Sequence, residues 1–197
     1  MTAGMGSYDW RFDAGRVCLD LVATGEPAGR GTEPLDGAVP LGRWLVGAGL
    51  VPEGTALAGV DARWMRSFAE LRDGVGQLVR AEIDGRDASA ALARVNELAA
   101  GAPPGIRAVR DEDGRLVRAL STEPGCDALL AAVARDAVDL LTDPAARARL
   151  RQCEGETCRR VYLDTSRGRR RRWCSSDVCG NRERVARHRR RAALARP

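Results

Sequence analysis

Apolar positions recur at helical spacing along most of the first three quarters of the chain. Arg16 to Ala23 (RVCLDLVA) predicts a short helix, and the GEPAGRGTEPLDG stretch after it, rich in Gly, Pro and charge, reads as a mobile loop. Leu41, Trp44, Leu45 and Ala48 share one face of a second helix, which Gly49 and Pro52 end. The longest periodic segment, Asp61 to Glu82, places Trp64, Phe68, Leu71, Val75, Leu78 and Val79 together. Ala88 to Ala100 continues as a helix and stops at GAPPG. From Ile106 to Leu120 the period shortens to about two around an Asp-Gly turn, which predicts a β-hairpin. A helix over Asp127 to Leu141 follows, with Leu129, Leu130, Val133, Ala137, Leu140 and Leu141 apolar. Pro144 then opens a shorter helix running to about Arg151. The pattern predicts a mostly α domain with one small hairpin (α+β) over residues 1–144. It joins a C-terminal module, residues 145–197, without a long linker.

Composition agrees with helices packed through small residues, because Ala and Gly abound and aromatics make up only 4%. All 32 basic residues are Arg, which points to a GC-rich coding genome, bacterial in character, and carries no functional signal. Charge divides the chain more sharply. Residues 1–144 hold 15 Arg against 22 acidic residues, a net of −7, and residues 145–197 hold 17 Arg against 5, a net of +12. Such asymmetry predicts an acidic body bearing a basic interaction module. No basic-then-apolar leader and no apolar run near the ~18 residues of a membrane span are present. The expectation is a cytoplasmic protein without a membrane partner, whose thiols stay reduced and read as metal ligands before disulfides.

Four residues lie between Cys153 and Cys158, as between Cys174 and Cys179, and fifteen residues separate the pairs. Two close pairs joined by a hairpin can supply the tetrahedral ligand set of zinc. Four thiolates leave no position for an activated water, so the one Zn2+ expected here is structural. In a segment of about 45 residues the metal would supply much of the folding free energy. Arg160 to Leu163 and Arg171 to Cys174 predict two short strands around the turn Asp164 to Gly168. Tyr162 and Trp173 are expected to pack beside the metal rather than stack on bases. The order of knuckle, hairpin, ligand pair and helix resembles a treble clef.

After Cys179 the chain reads as a helix up to Pro197. Val178, Val185 and Ala192 recur every seven residues and are expected to face the module's core. Arg182, Arg184, Arg187, Arg189, Arg190 and Arg191 cover much of the remainder. With Arg167, Arg169, Arg170, Arg171 and Arg172 they form a positive surface suited to phosphates. Asn181 and Arg182, at the helix start, can read adenine and guanine edges; Asn181 could equally bond backbone or sulfur near the metal. With the metal saturated, His188 is expected to face solvent or a phosphate.

These residues carry a resemblance. Trp173-Cys174, Cys179-Gly180-Asn181-Arg182 and the preceding Leu163-Asp-Thr-Ser-Arg167 resemble the CGNR zinc finger family over residues 151–196. Proteins with this finger usually carry an N-terminal ABATE domain and are regarded as stress-induced transcription regulators. Cys18-Leu-Asp20-Leu-Val22, Trp44-Leu45 with Ala48-Gly-Leu50, and Ala137 to Pro144 ahead of Leu150-Arg-Gln-Cys153 are similar to that domain. The resemblance implies zinc ligation by the four cysteines and nucleic-acid binding by the CGNR helix. One departure is Ala23, where the family is expected to have Asn before Thr24; a ligand pocket served by that Asn would be altered or absent.

The leading expectation is a zinc-dependent transcription regulator, its helical domain sensing a small molecule or forming a homodimer and its finger contacting DNA. An RNA-binding zinc protein and a redox-responsive zinc switch are the alternatives. An enzyme is not expected: the N-terminal region has no His, no Gly-rich phosphate loop and no nucleophile motif. Asp20, Glu70 and Asp73 read as solvated or paired carboxylates, Cys18 as a small buried hydrophobe, and Cys126 has no evident partner.

Overall fold

A computed structural model describes residues 10–25 and 35–194, with side chains through residue 191. Most of the loop expected around residues 25–37 lies outside this set. Asp61 starts the longest helix by accepting hydrogen bonds from the Arg63 and Trp64 N–H groups at 2.9 and 3.1 Å, a side-chain cap on donors that have no intrahelical partner. The helix, α3 (Ala62–Asp84), ends at Gly85, whose φ of 64° is the left-handed turn that a Cβ would disfavour. Its buried face includes the six apolar residues that the periodicity selects.

Around it pack α1 (Val17–Thr24), α4 (Ser89–Ala99) and α5 (Cys126–Thr142). α1 is buried nearly all round, through Cys18, Leu19, Leu21 and Val22. Its first turn is capped from a distance: the Asp136 carboxylate of α5 accepts from the Cys18 N–H at 2.9 Å and the Arg16 Nε at 2.8 Å. α2 (Ala38–Gly47) inserts Trp44 against Phe68, with ring centroids 6.1 Å apart at an edge-on angle. The hairpin joins β1 (Ile106–Arg110) to β2 (Leu116–Leu120), pairing Ile106 with Leu120 and Arg110 with Leu116. Mostly helical architecture with small two-stranded hairpins is therefore the fold class. No described helix is long and apolar enough to cross a membrane.

Two expectations about the C-terminal module change. The helix at Pro144 is one turn, α6 (Pro144–Arg147), capped by Asp143. Leu150 belongs instead to β3 (Leu150–Gln152), where it is buried. β4 (Val161–Leu163) pairs antiparallel with β3, not with Arg171 to Cys174, which forms no strand. The latter segment runs back over the first cysteine knuckle: the Glu154 N–H donates to the Arg172 carbonyl at 3.0 Å, and the Tyr162 hydroxyl to the Arg171 carbonyl at 2.6 Å. Those bonds satisfy its backbone, so no ladder to β4 is required.

One apolar cluster runs from α1, α3 and α5 through Leu150, Val161, Tyr162 and Leu163 to Cys153, Cys174 and Cys179. The Leu163 N–H donates to the Ala14 carbonyl at 2.8 Å. Arg160, 7% exposed, donates to the Arg11 carbonyl at 2.7 Å and pairs with Asp13 at 2.7 Å, with Asp20 3.8 Å away. Asp20 is itself buried, and it accepts from the Ala14 N–H at 3.0 Å. Burial raises its pKa to about 6 in spite of Arg160 and that N–H.

Replacing Arg160 with Ala strands Asp20 inside the protein, and a loss of about 3 kcal/mol in urea unfolding of the zinc-loaded chain is expected. Asp20 gives a signed pH dependence. Between about pH 4 and 6 the folded chain holds a proton that the unfolded chain has released, so stability falls as pH rises through that window. An Asp20→Asn protein lacks this proton and keeps an oxygen acceptor for Ala14. Its melting temperature relative to wild type should therefore climb from pH 4 to pH 7; a constant difference would contradict the assignment.

Candidate functional site

The four cysteines come from two local turns and meet at one point. Gly155 allows the first turn: a Cβ there would lie 3.2 Å from the Cys158 Cβ and 3.5 Å from the Cys153 Sγ. The second turn starts at Ser175, whose hydroxyl accepts from the Asp177 and Val178 N–H groups, each at 3.2 Å. A π-helical turn over Ser176–Gly180 then delivers Cys179 to the start of α7 (Asn181–Leu194). All four Sγ atoms lie within 4.8 Å of one another. Cys158 and Cys174 are 3.8 Å apart, and Cys174 and Cys179 are 3.6 Å apart.

Zinc bound by four thiolates at about 2.3 Å places its sulfurs about 3.8 Å apart, so the cluster has the size of that ion's ligand shell. The donor set fits as well. Burial and the neighbouring sulfurs push the Cys158, Cys174 and Cys179 thiols up to about 11. At Cys153 burial acts in the same direction but is outweighed by the Cys174 and Gly155 N–H groups, 3.3 and 3.5 Å from its sulfur, so its pKa falls. A divalent cation removes the like-charge conflict, and the N–H groups orient the thiolate and offset its charge. One structural zinc is the cofactor, held by Cys153, Cys158, Cys174 and Cys179. It supplies cross-linking and charge compensation, with every ligand position filled by the chain.

The other two cysteines stand apart. Cys18 and Cys126 are buried in the helical body. Burial raises both thiols, helped at Cys18 by the Asp136 carboxylate, and Cys126 reaches about 11. Of the remaining carboxylates, Glu70 is exposed 4.0 Å from Arg94, and Asp73 is exposed beside Arg72.

Around the cluster the Arg residues separate into two groups. Arg171 holds the ligand loop: its Nε donates to the Trp173 carbonyl at 2.9 Å, its Nη2 to the Cys174 carbonyl, and its guanidinium lies 4.7 Å from the Tyr162 ring centre. Arg172 pairs with Glu154 at 2.6 Å and covers Trp173 at 5.2 Å. Arg182 reaches the Thr157 hydroxyl at 3.3 Å, and Arg190 pairs with Glu183 at 2.7 Å. In contrast, the exposed side chains of Arg167, Arg169, Arg170, Arg187, Arg189 and Arg191 have no partner among the described residues. Arg184 makes one 3.4 Å bond to the Ser176 carbonyl, and Asn181 and His188 are exposed. Arg159, which the sequence did not single out, is exposed in the same manner.

Asp164 was another residue missed, although an Asp two positions before Ser is a known turn-former. Only 1% exposed, it accepts from the Ser166 and Arg171 N–H groups at 2.9 and 3.1 Å. Burial would raise its pKa, and the Ser166 side chain together with these two N–H donors lowers it by more. The carboxylate thereby shapes the loop that presents Arg167, Arg169 and Arg170. Tyr162 is fully buried and Trp173 half-buried, as expected of structural aromatics.

The expected orientation of the last helix changes. Val178 and Val185 are 43% and 42% exposed rather than turned into the module, and the side chain of Ala192 lies outside the described residues. The packed side of α7 is Glu183 and Ala186, which line a small cleft with Gly155, Thr157 and Cys158. With only this narrow knuckle beneath the helix, a heptad stripe of valines has nothing to pack against.

Elemental analysis should find one zinc per chain, and a Cys174→Ser protein should retain well under one. Because zinc displaces thiol protons, acid release of the metal should take up more than one proton per ion. A one-proton release curve would contradict the all-thiolate site.

Two family models match the chain. The one described as "Putative stress-induced transcription regulator" (ABATE) covers residues 15–144, and the one described as "CGNR zinc finger" covers residues 149–192. A search of curated proteins gives no match. The chain belongs to the ABATE family and carries a CGNR zinc finger behind the ABATE domain.

Proposed function

We propose that the chain is a zinc-dependent transcription regulator whose finger binds duplex DNA and whose helical domain senses a signal or mediates dimerisation. The observation that carries this reading is the set of exposed Arg side chains on α7 and on the Arg167 to Arg170 loop that have no partner among the described residues. By contrast, Arg160, Arg171 and Arg190 are held by carboxylates or carbonyls of the chain. Unpaired like charges packed on one small module repel one another, and a polyanion relieves that repulsion while releasing counterions. The family's description as transcription regulators points to the same partner. RNA is the weaker reading because sequence-specific RNA recognition stacks unpaired bases on exposed aromatics. Here Tyr162 is buried, and Trp173 is half-buried beneath Arg172.

Duplex DNA binding should weaken steeply with salt, by roughly 0.9 log units of affinity per log unit of salt for each phosphate contacted. Arg169→Ala and Arg187→Ala should each lower that slope by about 1, with little change in sequence preference. Zinc chelation should abolish binding. A Cys174→Ser protein that binds duplex DNA with wild-type affinity would sink the proposal.

A further inference from the structure

We infer that Val185 on α7, with Val178 in the π-helical turn just before it, forms a thymine-reading edge that contacts C5-methyl groups in the major groove; this rests on the reading that the finger binds duplex DNA. Both valines are more than 40% exposed, on a segment otherwise dominated by charge. The fold does not use them, since the packed side of α7 is supplied by Glu183 and Ala186. Asn181, Arg184, His188 and Arg191 follow one another at three- and four-residue intervals along α7, with Val185 next to Arg184, and all five are exposed.

The stripe thus mixes an amide, guanidinium groups and aliphatic tips. The major groove displays chemistry to match: Asn pairs with adenine N6 and N7, Arg with guanine O6 and N7, and an aliphatic tip with the methyl of thymine. Charge argues against the other occupants. A second copy laid on the valines would bring Arg184, Arg189 and Arg191 against their own equivalents, and like charges across an interface are costly. The A-form RNA major groove is too deep and narrow for side chains to read. A phosphate-lined B-form groove accepts the Arg residues and offers methyl groups between them.

The test begins by selecting preferred duplexes from a randomised library with the zinc-loaded full chain. Each thymine of the preferred site is then replaced by deoxyuridine, which removes only the C5-methyl. At least one replacement is expected to weaken wild-type binding about fourfold, the scale of one buried methyl group. For Val185→Ala the thymine-to-uracil ratio at that position should fall to about one. Zinc content and melting temperature, measured alongside, show whether the variant is folded. Salt-dependent duplex binding with no effect of deoxyuridine at any position overturns the inference and leaves the DNA reading intact. Absence of duplex binding, or preference for structured RNA, overturns both. A dimer that Val185→Asp dissolves also overturns the inference, because the valines would then face a second copy.

Discussion

Four cysteine sulfurs within 4.8 Å of one another set the terms for the rest of the C-terminal module. Four thiolates cannot crowd together without a cation between them, and four protonated thiols would leave two turns joined by weak contacts alone. Zinc resolves that conflict and fixes the Cys153 knuckle against the start of α7. The consequence reaches beyond the metal. The Arg171 to Cys174 segment carries one ligand and is bonded to Tyr162, Asp164 and Glu154. The same restraint therefore shapes the Arg167 to Arg170 loop and seats β4 on β3. Through Leu163 and Arg160 it extends to Ala14, Asp13 and Asp20 at the head of α1.

Arginine plays two physical roles in this module. Arg160 and Arg171 are held locally, by carbonyls, a carboxylate or the face of an aromatic ring, and Arg172, though exposed, pairs with Glu154 over Trp173. The exposed Arg169, Arg187 and Arg189 side chains have no partner among the described residues. A net charge of +12 is thus less a uniform coat than a scaffold set plus an exposed set without partners among the described residues. The helical body, at −7, carries the opposite net charge.

Local signals carried most of the fold. Helical periodicity placed α1 to α5 within a few residues, because each buries one face against a common core and the burial pattern repeats in sequence. Cysteine spacing located the metal site outright. Strand pairing at residues 160–174 was not legible, since three-residue strands have almost no periodicity and their partner was decided by β3, a segment that local pattern assigned to a helix. The seven-residue recurrence of Val178 and Val185 misled for a related reason. A heptad pattern states that residues share a side, not that anything covers it. Arg160 could not be picked out at all, because its importance lies in contacts with residues about 140 to 150 positions away. The division of Arg171, Arg172, Arg182 and Arg190 from their neighbours was equally hidden, as it depends on which carboxylate, carbonyl or hydroxyl the fold brings near.

The central claim is that zinc organises the basic surface and, through one continuous core, the seam with the helical body. Hydrogen exchange followed across the whole chain before and after zinc chelation tests it most directly. The account predicts that amides of β3, β4 and the start of α7 lose protection together with the Leu163 amide and the first turn of α1. Loss confined to residues 153–158 and 174–191, with β4 and α1 as protected as before, would contradict it.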